Sequence, residues 1–168
     1  AVKPKKVKLF TGPPTHKEDD AKVVHELMNN ADIRIVSGGT TSQIVARELG
    51  VEVKSSTEIY DKEVPPIAYI QGVDLVTEGV LTLSKTIDRL KSLSKSLDSD
   101  IFKAKDGASQ MAKLLYSASH IKLLVGRALN IANAESSFQR DLELRLHVVG
   151  ELEKILVKLG KIVTVEYY

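Results

Sequence analysis

Four β-favouring runs of this chain each end in a glycine turn, and that order constrains the fold more than any other feature. The runs are residues 7–11 before Gly12-Pro13-Pro14, 32–37 before Gly38-Gly39-Thr40-Thr41, 73–77 before Glu78-Gly79, and 121–125 before Gly126-Arg127. Strands separated by helical stretches pair in parallel, because a parallel connection needs room for a crossover. The alternation predicts an α/β fold with a mainly parallel sheet flanked by helices, Rossmann-like and three-layered.

The helical stretches show apolar residues every three or four positions. Residues 16–31 carry Val24, Leu27, Met28 and Ala31; residues 43–49 carry Ile44, Val45 and Leu49, with Gly50 as the C-terminal cap. Leu83, Ile87, Leu90, Leu93 and Leu97 mark a long helix from Val80. Asp106 caps a helix running to Ala118, and residues 142–159 form a helix with Leu146, Val149, Leu152, Leu156 and Leu159 inward, stopped by Gly160. Residues 162–167 are the last strand. Residues 51–53 read as a short strand, 55–66 as a surface loop and 130–140 as irregular. Residues 67–70 and 73–77, parted by Gln71-Gly72, form either a hairpin or one interrupted strand. The 168 residues read as a single domain, with a candidate lobe boundary near 98–106.

The formal charge of +2 is too small to argue for nucleic acid or an anionic membrane, and the basic start Lys3-Pro-Lys-Lys-Val-Lys8 reads as a solvated end. The absence of cysteine excludes disulfides, thiolate nucleophiles and cysteine-bound zinc, and it fits a reducing compartment. No apolar run approaches the ~20 residues of a membrane span, and there is no signal-peptide pattern, so the expected location is cytoplasmic. The start at Ala1 suggests a piece of something longer.

Ligands of parallel sheets collect at the carboxyl ends of the strands, where loop amides and helix N-termini converge. If the strands are parallel, Gly38, Gly39, Thr40, Thr41, Thr77, Glu78, Gly79, Gly126 and Arg127 share one rim and are the candidate ligand-binding residues. The Gly38-Gly39-Thr40-Thr41 turn suits a phosphate or carboxylate, since glycines admit close approach and the threonines add donors. It equally fits a capping box in which Thr40 and Gln43 satisfy the helix's own amides. Neither a Walker lysine nor a full Gly-x-Gly-x-x-Gly fingerprint is present. Arg127 is either a cation for a ligand anion or one half of a surface ion pair; Glu78 is either a base or hydroxyl acceptor, or a glutamate favoured by the helix dipole. His16, His25, His120 and His147 lack zinc-site spacing and Asp19 and Asp20 diverge on their helix, so neither a metal nor a cofactor is expected.

Ser37-Gly-Gly-Thr-Thr-Ser-Gln-Ile-Val-Ala-Arg-Glu-Leu-Gly50, Pro65-Pro-Ile-Ala-Tyr-Ile-Gln-Gly-Val-Asp-Leu-Val-Thr-Glu-Gly-Val80, Leu124-Val-Gly-Arg-Ala-Leu129 and Gly160-Lys-Ile-Val-Thr-Val-Glu-Tyr167 carry a resemblance across nearly the whole chain. Together they resemble the C-terminal region of bacterial stage II sporulation protein E-like serine/threonine phosphatases. Those phosphatases hydrolyse phosphoserine and phosphothreonine with two metal ions held by aspartates of a separate catalytic domain. Apart from Asp106-Gly107, nothing here echoes those aspartate motifs. The resemblance therefore implies an accessory regulatory domain, non-catalytic itself, that senses a small anion and acts on a phosphatase domain in the same or a neighbouring chain. An independent enzyme using Glu78 and Arg127 on a phosphorylated or carboxylated metabolite, and a docking or homo-oligomerisation domain in which Tyr167-Tyr168 meet a partner, are the alternatives.

Overall fold

A computed structural model describes residues 5–96, 99–129 and 136–168. Seven strands make one sheet in the order β3-β4-β5-β2-β1-β6-β7. Strands β1 (Lys6–Thr11), β2 (Ile33–Ser37), β5 (Leu75–Thr77), β6 (His120–Val125) and β7 (Ile162–Tyr167) are mutually parallel. Strands β3 (Lys54–Ser55) and β4 (Ala68–Tyr69) extend the β5 edge in antiparallel pairing. On one face lie α1 (Asp20–Met28) and α2 (Gly39–Leu49), and on the other α3 (Val80–Lys95), α5 (Gly107–Tyr116) and α6 (Ser136–Lys158), with the short α4 (Ser99–Lys103) between α3 and α5. This is the three-layer, Rossmann-like α/β architecture that the alternation predicts.

The central strands are apolar on both sides because both sides are covered. Leu9, Ile35 and Leu123 face the α3/α5/α6 layer, where Leu83, Leu90, Met111, Leu115 and Leu152 are fully buried. Phe10, Val36 and Leu124 face the α1/α2 layer and meet Val23, Leu27 and Val45. The first core cluster contains residues from both sides of positions 98–106. Among the described residues, no helix is long and apolar enough to cross a membrane.

Several local expectations are revised. Ala68 pairs antiparallel with Val76 around Gly72 (φ 94°), so residues 67–77 are a hairpin. The strand expected at 51–53 falls instead at Lys54–Ser55, inside the start of the expected loop. Part of the candidate lobe boundary near 98–106 is the helix α4, and its Ile101 reaches the core. The helix expected over 16–31 is a 3-10 turn at Lys17–Asp19 followed by α1; α3 runs as expected from Val80 to Lys95, and Leu97 lies outside the described residues. Of the irregular stretch expected at 130–140, residues 130–135 lie outside the described residues and the remainder belongs to α6. The Asp106 cap forms as read, its carboxylate accepting from the Ser109 N–H at 3.0 Å.

On the α1 side of the sheet, an ion network ties Glu26 of α1 to β1, β6 and β7. Lys122 bridges Glu26 at 2.5 Å and Glu166 at 2.7 Å, and Lys8 reaches Glu26 at 3.2 Å. The hydrogen bond from Lys122 holds both carboxyls below the usual carboxylate range, while those same partners, Glu166 first, raise the Lys122 ammonium. Depressed carboxylates stabilise the fold above their unfolded value of about 4.3 and lose that contribution as pH falls through the folded values. The raised lysine contributes fully below about 10.4 and loses its contribution as pH climbs through its folded value. Lys122→Met should thus cost about 1 kcal/mol at neutral pH, and the deficit should shrink toward pH 3 in thermal melts. A deficit independent of pH would show that packing of the lysine stem, not charge, is what matters.

Candidate functional site

The register places Thr11 beside Ser37 and Val125, and Ser37 beside Thr77. The carboxyl ends of β1, β2, β5 and β6 therefore form one rim, carrying the glycine turns. Chain order departs from β1 in both directions, to β2 and β5 on one side and to β6 and β7 on the other. Such a switch point opens a crevice between diverging connections. Here a cleft of about 320 Å³ lies over it, bordered by Thr11-Gly12-Pro13, residues 37–41, Gly79-Val80, Ala128-Leu129 and Arg145.

Gly38 starts α2. Its φ of 122° is open to glycine and strained for other residues, and its N–H donates to the Thr77 carbonyl at 2.9 Å. Its own carbonyl accepts from the Ser42 N–H at 2.9 Å and the Ser42 hydroxyl at 2.6 Å. With Gly38 as its N-cap, the helix thus begins two residues earlier than a Thr40 cap requires. Thr40 and Gln43 are exposed, no side chain caps the helix, and the capping box does not form. Thr41 instead accepts the Gly12 N–H at 2.9 Å and ties the β1 turn to the first turn of α2.

The start of α3 converges on the same place. Gly79 is its N-cap, again without a side-chain cap, and a Cβ on Gly79 would lie 3.9 Å from the Gly38 Cα. Two helix N-termini, each a partial positive charge, meet at one wall of the cleft. Across from them stands Arg145 of α6, whose Nη1 donates to the Gly126 carbonyl at 3.2 Å. Among the described residues no carboxylate lies within ion-pair distance of Arg145, and burial holds its guanidinium below the ordinary arginine value, with Asp141 opposing from a distance. Among the described residues no acidic side chain borders the cleft.

The other candidates distribute differently. Gly39 borders both the main cleft and a second hollow on the far side of the α2 start, where Glu78 lies with Ser42, Ser55 and Ser56. Glu78 is exposed, and its backbone carbonyl accepts the Ser37 hydroxyl at 3.0 Å. Thr77 contributes its carbonyl to the rim but not its hydroxyl. Strand alternation turns that side chain toward α3 and α5, where the hydroxyl is buried without a partner and the methyl would sit 3.3 Å from a Cβ on Gly107. Gly126 does not border the cleft itself; its carbonyl accepts from Arg145, which does. Arg127 leaves the cleft: it is exposed, lies over the Tyr167 ring at 5.5 Å, and its N–H donates to the Tyr168 carbonyl at 2.8 Å.

Arg145 is the residue that the sequence reading missed. It stands four residues before Val149 and seven before Leu152, on the inward stripe of α6, and an arginine on an apolar stripe is a signal that a charge is being carried inside. Among the described residues no group of three histidine or acidic side chains gathers to hold a metal ion. No protein-family model, curated protein or solved structure matches the chain.

Proposed function

We infer that this chain is a ligand-sensing regulatory domain that binds a small phosphate- or carboxylate-bearing anion in the switch-point cleft and passes the occupancy of that cleft to a serine/threonine phosphatase domain. The observation that carries the reading is Arg145, a part-buried cation with no carboxylate partner among the described residues, in the same cleft as two helix N-termini without side-chain caps. Removing a guanidinium from water is unfavourable unless a counter-charge meets it, and backbone amides at helix starts favour the same sign of guest. Pro13, Val80, Ala128 and Leu129 supply apolar contact for the remainder of a ligand. The phosphatase connection rests on the four resembling segments. The independent-enzyme reading is less well supported, because Glu78 borders the second hollow and Arg127 lies on Tyr167, so the two do not flank one guest.

Thermal melts with inorganic phosphate, phosphomonoesters and carboxylates test the reading. A ligand that binds only the native state adds about 2.7 kcal/mol at one hundred times its dissociation constant. No shift with any of these anions would sink it. Gly39→Ala then separates binding from mere helix initiation. Gly39 has no positive φ and a Cβ there would meet nothing within 4 Å, so the protein should gain about 0.4–1 kcal/mol in stability. The methyl group nevertheless projects beside the α2 amides, and anion affinity should fall. Unchanged affinity would make the turn a helix start and nothing more.

A further inference from the structure

The two edges of the sheet are built in opposite ways. At one end β3 is two residues long, Lys54 and Ser55, both exposed, the short and charged form that discourages further pairing. At the other end β7 presents six residues to the outside, with no neighbour beyond it in the sheet among the described residues, and two of its large side chains, Ile162 (60%) and Tyr167 (52%), are exposed. The N–H groups of Ile162 and Tyr168 donate inward to Ser119 and Val125 at 3.0 and 2.8 Å. By alternation, the N–H and carbonyl groups of Val163, Val165 and Tyr167 face outward along the open edge.

We propose that a second copy of this chain covers that edge, with β7 pairing antiparallel to the partner's β7 about a two-fold axis through Val165. A two-fold that keeps both sheets face up sets residues of one face opposite residues of the same face, so registers differ by steps of two. With the axis at Val165, Val165 meets its own copy, Val163 meets the partner's Tyr167, Ile162 meets the partner's Tyr168, and Thr164 meets the partner's Glu166. Every exposed apolar side chain of the edge then has an apolar neighbour. Moving the axis one residue back sets Ile162 against the partner's Glu166, and moving it one forward opposes Glu166 to its own copy. The edge is self-complementary in one register.

The adjoining flank of α6 supports the same occupant. α6 borders α3 through Glu151, Lys154, Ile155 and Lys158, while Gly150 and Val157, seven residues apart, fall on the side turned away from that groove. Val157 is 56% exposed. Gly150 lies inside a helix, where glycine is unfavourable relative to alanine, yet a Cβ there would meet nothing within 4 Å. The monomer gives no reason for that glycine, whereas two α6 helices brought side by side across a β7 pair would use the space.

Sedimentation equilibrium of the 168-residue chain over a concentration series should give a mass twice 18.4 kDa. Hydrogen exchange at the amides of Val163, Val165 and Tyr167 should slow as the dimer forms. Val165→Pro deletes an outward N–H and no bond to β6, and Gly150→Arg favours the helix while filling its flank; both should be folded monomers, with cooperative melts that no longer depend on protein concentration. A parent that stays monomeric throughout the series overturns the proposal, as does a dimer that both folded variants retain or one that leaves those three amides unprotected.

Discussion

Gly126→Ala is expected to destabilise the domain by about 3 kcal/mol or more, a drop of about 10 °C in the melting temperature. The β1 and β6 turns touch at this glycine: its N–H donates to the Thr11 carbonyl at 3.0 Å, and Ala128 N–H donates to the Pro13 carbonyl at 3.0 Å. A Cβ on Gly126 would lie 2.0 Å from the Gly12 carbonyl oxygen and 2.1 Å from that of Pro13. Both neighbours are main chain, so no rotamer change relieves the contact. The turns would have to separate, removing the cross-turn hydrogen bonds and the carbonyl that Arg145 holds. Urea unfolding of the purified variant provides the measurement. A loss below 1 kcal/mol would mean that the two turns are not packed as described.

Arg145→Met is expected to weaken anion binding by about 100-fold while leaving the ligand-free protein as stable as the parent or more stable. The charge is part-buried with no carboxylate among the described residues beside it, and burial lowers its pKa, so in the empty domain the guanidinium is a liability that the Gly126 carbonyl offsets only in part. An apolar side chain of similar length removes the desolvation penalty and keeps the packing on α6. Bound anion reverses the balance, because the planar donors then meet a full negative charge. Melting temperature with and without saturating phosphate measures both limbs on one sample. A variant that keeps the anion-dependent shift would move the binding site away from this cleft. The corresponding change at Arg127, which lies on Tyr167, should leave the shift intact.

The elements that depend on a few consecutive residues were legible in the chain. Apolar runs at residues 7–11, 32–37 and 121–125 became the three central strands because burial on both faces requires them, and the glycines after them became turns on one rim because parallel strands end together. Asp106 and Gly50 cap their helices through local geometry alone. At Gly38 the same local rules pointed to Thr40 as the cap, and they failed because the hydrogen bond from Gly38 to Thr77 places the helix start from a neighbouring strand.

Which cation enters the cleft was decided by tertiary structure. Arg127 follows a strand end and Arg145 does not, yet the chain after β6 bends back to pair with Pro13 and Tyr168, which carries Arg127 out onto Tyr167, while α6 brings Arg145 over Gly12. Nor did the sequence decide that the Thr77 hydroxyl turns away from the rim or that residues 67–77 fold into a hairpin. Hydrophobic periodicity and turn chemistry act over a few residues, so they are written in the local sequence. The meeting of Arg145 with two helix N-termini depends on strand order and on the path of α6 across the sheet, and those follow from how the whole core packs.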